Sequence, residues 1–166
     1  IYDQWRQKNI GWYLDYGASP VSGGIMPFSQ LNLLKNIIET ADTVTQTQAT
    51  LRFGHEVCVM PLACLLELDN CGMSVENLDE LDKYWRNYRI FPMGCNIQLI
   101  FYKPLPTKPK GKGKGLPKPG PVLVKSLLNE REAYLPINTN QWPYYNWEEL
   151  RDYYLNKIAE FEKARD

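Results

Sequence analysis

Histidine is nearly missing from this sequence, with one in 166 residues. A mechanism that draws two imidazoles from the same polypeptide is excluded, which removes phosphohistidine relays, multi-histidine zinc sites and paired-histidine acid–base chemistry. Imidazole chemistry centres on His55 or is absent. Apolar runs near the ~18 residues that cross a bilayer are lacking too, so no segment reads as a membrane span. The four cysteines, Cys58, Cys64, Cys71 and Cys95, show no CxxC spacing, which leaves thiols and disulfides both open and the compartment unread. No Ser or Thr follows a Gly-Lys pair, and this excludes a P-loop.

What is present is an ordinary globular composition, 44% hydrophobic and 23% charged, at the size of a single domain. Nineteen Lys and Arg balance nineteen Asp and Glu to a net charge of +0, but the balance is not local. Lys103, Lys108, Lys110, Lys112, Lys114 and Lys118 fall in one stretch without an acid, which leaves the remainder acidic by six charges. An acidic body lacks the basic folded face of a nucleic-acid or anionic-membrane binder, so no nucleic-acid partner is expected.

Periodicity divides the chain. Residues 2–16 read as a short helix with Trp5, Ile10, Trp12, Tyr13 and Tyr16, ended by the Gly- and Pro-rich run GASPVSGGIMP. Leu31, Leu34, Ile37, Ile38, Ala41 and Val44 recur at three- and four-residue spacing and predict a helix over 28–45. Residues 49–54 are short, β-prone and closed by Gly54; the apolar run 57–68 follows, so a strand turning into a helix is expected, with the helix starting close to Pro61. Residues 75–88 read as a more polar helix or loop-helix. Residues 96–102 and 122–128 predict two strands of a hairpin. Between them the Pro/Gly/Lys tract 104–121 lacks the apolar area to offset its ordering entropy and reads as a flexible loop, a solvated tether or a capturer of polyanions. Asn146 opens a C-terminal amphipathic helix over 148–163.

His55-Glu56 is the only adjacent imidazole–acid pair, and its expected place is the carboxyl end of a strand before a helix, where open α/β sheets bind ligands. A helix N-terminus there presents unpaired N–H groups and partial positive charge to a phosphate or carboxylate. Like-charge repulsion from a bound phosphate favours the protonated carboxyl of Glu56, which suits it to protonate a leaving alkoxide. The plain alternative is a helix-capping or solvated pair. A metal reading would join His55 and Cys58 to Cys64, Cys71 and Cys95, although these spacings match no common zinc pattern. A Cys58–His55 nucleophile pair lacks a third, orienting group. Trp142, Tyr144, Tyr145 and Trp147 read as a core anchor or a sugar-stacking platform. No metal and no cofactor are expected.

The run LRFGHEVCVMPLACLLELDNCG, with SPVSGGIMPFSQLNLLKNIIETAD before it and FPMGCNIQLIFYK and LVKSLLNEREAYLPI after it, resembles the second active-site motif of the histidine acid phosphatases and its surroundings. The likeness is to the branch of multiple inositol polyphosphate phosphatases and phytases, and it spans about residues 10–154. It implies an α/β fold, the C-terminal part of a histidine-phosphatase domain, with helices packed on a small mixed sheet that includes a hairpin. It also implies a phosphate-ester substrate of the inositol phosphate class and a periplasmic or secreted setting. In such enzymes a histidine of an Arg-His-Gly motif attacks phosphorus and the acid of the second motif protonates the leaving oxygen. By position His55 corresponds to the phosphate-contacting histidine and Glu56 to the proton donor, although relatives place Asp directly after the His, or Glu one residue further on. Arg-His-Gly occurs nowhere in the chain. The nucleophile is therefore expected from an N-terminal half outside this sequence, the chain being a fragment or a degenerate relative; a first residue other than Met favours the fragment. The rival expectation is a non-catalytic module that binds a polyanion or a glycan.

Overall fold

The computed structural model describes residues 1–43, 49–105 and 120–165. Helix α1 (Tyr2–Tyr16) ends where Gly17 meets the Tyr13 ring: a Cβ at Gly17 would lie 2.5 Å from Tyr13 Cδ2. Only glycine permits that approach. Tyr13 is fully buried; its hydroxyl donates to the Met73 carbonyl (3.1 Å) and accepts from the Val75 amide (2.8 Å). One turn earlier, buried Asn9 donates to the Trp85 carbonyl at 3.0 Å and accepts from the Asn87 amide at 2.8 Å. Both groups carry polar atoms into the core and satisfy them there, which avoids the cost of a buried unpaired donor.

After a 3-10 turn at Met26–Gln30, helix α2 (Leu31–Thr43) turns Leu34 and Ile38 inward. Its predicted stripe is present, and residues 44–48 lie outside the described chain. Helix α3 (Glu56–Leu65) begins at Glu56, five residues before the expected start. Pro61 therefore sits inside the helix and costs one backbone bond, but burial of Met60, Ala63, Cys64 and Leu65 in the core outweighs that loss. Short helices α4 (Leu81–Tyr84) and α5 (Asn87–Ile90) occupy the polar 75–88 region.

Strands β1 (Ile97–Tyr102) and β2 (Leu123–Leu128) pair from Ile97↔Leu128 to Tyr102↔Leu123, the expected hairpin. The far edge of β2 is shared by β3 (Arg131–Ala133) and β4 (Tyr145–Asn146). Every pairing in this four-stranded sheet is antiparallel, where a mixed sheet was expected; the connections from β2 to β3 and from β3 to β4 contain no helix, so they make no crossover of the kind parallel neighbours require. The tract expected as a flexible loop falls largely on residues 106–119, outside the described chain. Helix α6 (Trp147–Lys163) is capped by the Asn146 side chain, which accepts from the amides of Glu148 and Glu149. Its buried stripe is Trp147, Leu150, Tyr154 and Ile158, and the helix meets the C-terminal end of α3 where Tyr154 donates to the Leu66 carbonyl at 2.9 Å and Lys157 to that of Leu65 at 3.1 Å. Phe28 and Phe161 stack 3.9 Å apart and close the other side. The α/β layering is as the sequence predicts.

A further expectation fails. Residues 49–54 form no strand. They run exposed toward α3, with Leu51 74% and Phe53 93% exposed. A β-prone segment still needs a partner to pair with, and among the described residues no strand offers its edge to this one.

Candidate functional site

His55 is the N-cap of α3, with extended backbone at φ −94° and ψ 167°, and its side chain makes no capping bond. Its carbonyl accepts from the amides of Cys58 (2.9 Å) and Val59 (3.2 Å), which starts the helix. Glu56 is the first helical residue. Both side chains are exposed, so the capping reading fails for the imidazole while its place at a helix start holds. The approach segment is fastened from one side: Arg52 donates to Asn36 Oδ1 (2.8 Å) and Thr40 Oγ1 (2.9 Å) on α2. At Gly54 a Cβ would meet Cys58 Cβ at 3.7 Å, an ordinary contact. Nothing within the described chain demands glycine there.

The competing chemistries do not assemble. All four cysteines are free thiols. Burial pushes the Cys64 thiol up to about 12 and raises Cys71 as well, so both are protonated, inert core groups. Burial also raises the half-buried Cys95, and the nearby Glu56 carboxylate adds to that rise. Among the described residues no three His, Cys, Asp or Glu side chains gather as a metal site, and no side-chain hydrogen bond joins His55 to Cys58. The aromatic group divides. Tyr145 and Trp147 are buried, Tyr145 accepting from the Leu135 amide at 3.2 Å and Trp147 donating to Asp42 Oδ1 at 2.9 Å. They anchor the core. Trp142 stays outside, stacked on Tyr134.

Two concave regions lie elsewhere. The larger, about 470 Å³, is lined by residues of the loop before β4, and the smaller, about 200 Å³, by Lys83, Arg86 and Arg89 among others. Neither is lined by His55 or Glu56. In sequence the first is visible only as the amide-rich run NTNQ, and the Arg52 tether leaves no signal.

No family model and no curated protein matches this chain. Two crystal structures of the Bifidobacterium longum multiple inositol polyphosphate phosphatase do match in three dimensions. The phosphate complex superposes with a TM-score of 0.67 at 22% identity over 91% of this chain and 31% of that one. The apo form gives 0.65 at 25% identity over 89% and 30%. The chain has the fold of part of a phosphatase. It spans under a third of that relative's length, so His55 and Glu56 stand on a fold shared with a segment of that enzyme.

Proposed function

We propose that this chain supplies the proton-donor half of a phosphomonoesterase site for substrates of the inositol polyphosphate class. The carrying observation is the exposed His55-Glu56 pair at the start of α3, reached through a segment whose Leu51 and Phe53 have no cover. A half-site joined to an unpaired apolar segment is what remains when the facing part of a sheet belongs to another stretch of polypeptide. The shared fold with part of an inositol polyphosphate phosphatase supports the substrate class.

In this reading a histidine from the facing segment attacks phosphorus while the P–O bond to the inositol oxygen breaks. The imidazole of His55 and the free amides at the α3 N-terminus hold the phosphate oxygens. Glu56, protonated, gives its proton to the leaving oxygen. The resulting carboxylate then takes a proton from the water that attacks the phosphohistidine, which releases inorganic phosphate and restores both groups. The chain belongs, as one portion, to a histidine-phosphatase domain completed by an N-terminal half.

The test is phosphate release from inositol hexakisphosphate. The chain alone should give none, and co-expression with a segment bearing Arg-His-Gly should restore it. In the restored enzyme Glu56→Gln should slow an alkyl phosphate by about 100-fold or more, within the range of general-acid catalysis, and an aryl phosphate with a good leaving group far less. Turnover by the chain alone that His55→Ala abolishes would remove the half-site reading; equal slowing of both esters would remove Glu56 as donor.

A further inference from the structure

We infer that the loop between β3 and β4 carries a binding site for a neutral saccharide, separate from His55 and Glu56. Its floor is the 470 Å³ depression, within the size range of small-ligand sites. Asn138, Thr139, Asn140, Gln141, Tyr144 and Glu149 line it. Each carboxamide offers a donor and an acceptor side by side, as sugar hydroxyls do in return. Among the described residues that line the depression there is no Lys or Arg and there is one carboxylate, so these residues offer no partner to an anionic ligand such as an inositol polyphosphate.

The loop is built rather than slack. Thr139 Oγ1 donates to the Tyr144 carbonyl at 2.6 Å and accepts from the Gln141 amide at 3.1 Å, while the Tyr144 amide donates to the Gln141 carbonyl at 2.9 Å. Such bonds fix the main chain from which the carboxamides project, which lowers the ordering cost of binding. The same loop begins and ends near an uncovered aromatic pair: Tyr134 and Trp142 stack with centroids 5.3 Å apart and planes 27° apart, at 60% and 47% exposure. Neither ring lines the depression, but Trp142 follows Gln141 directly in the chain, and an exposed ring carried next to a hydroxyl-matching amide suits a sugar, whose ring has a C–H face and a hydroxyl edge.

The experiment is calorimetric titration of the chain with maltohexaose, cellohexaose and mannohexaose, with inositol hexakisphosphate as the anionic comparison and circular dichroism to confirm folding of each variant. At least one neutral hexasaccharide should bind. Trp142→Ala and Gln141→Ala should each weaken it by about 10-fold or more. Trp142→Phe, which keeps a ring, should retain most of the affinity, and Glu56→Gln should leave it unchanged. Binding of none of the three sugars overturns the inference. So does sugar binding indifferent to both alanine variants, or inositol hexakisphosphate binding that they abolish.

Discussion

Arg52 Nη2 lies 2.8 Å from Asn36 Oδ1 and ties the exposed approach to His55 onto α2. With a second bond to Thr40, this is the only side-chain tether of residues 49–55 among the described residues. Arg52→Ala should leave the melting temperature nearly unchanged, because the residue is exposed. In an enzyme completed by its facing half, however, kcat/KM should fall about 10- to 100-fold, the scale of an ångström-sized misplacement of a catalytic group. An unaltered kcat/KM would show that the facing half alone sets the segment.

Tyr13 makes a different prediction. Its hydroxyl serves Met73 and Val75 at once, and Val75 is buried. Tyr13→Phe keeps the packing and strands a buried amide, so urea unfolding should report a loss of about 1–3 kcal/mol. A smaller loss would mean that water reaches the Val75 amide.

Stability should fall in alkali. The Cys64 thiol is protonated in the fold, its pKa raised from 9.0 to about 12 by burial. Its contribution is full below pH 9, where both states hold the proton, and is lost between there and about 12 as the unfolded thiol ionises first. One pH unit into that window costs about 1.4 kcal/mol. Urea midpoints measured from pH 7 to 10 should decline, and the decline should be shallower in Cys64→Ala by about this amount at pH 10. Parallel curves would remove the thiol as the cause.

The lysine tract is predicted to be dispensable for chemistry. Tyr102 and Leu123 pair at the end of the hairpin that the connection closes, so deleting residues 107–120 should leave β1 and β2 in register, since loop-closure entropy varies slowly with length. Phosphate release by the completed enzyme should be unchanged. Loss of all ligand binding would instead assign polyanion capture to the tract.

The helices that bury a stripe were legible without coordinates. Leu34 and Ile38 on α2, and Leu150, Tyr154 and Ile158 on α6, repeat at the helical period because each must face one core. The Asn146 cap was legible for a similar reason, since only a short polar side chain reaches the first free amides. Strands β3 and β4 were not, being three and two residues long, too short to show a period. Pro61 misled in the other direction: its local cost pointed to a later helix start, and core burial of its neighbours outweighed it.

The sequence by itself determined the single histidine, its acid neighbour and their place at a helix start, because these depend on order along the chain. Only the tertiary structure decided that Leu51 and Phe53 stand uncovered, that Trp142 leaves its aromatic neighbours to stack on Tyr134, and that the loop amides converge on one hollow. Those facts depend on what is absent from a face or brought to it from afar, and neither pairing edges nor long-range packing is written in local spacing.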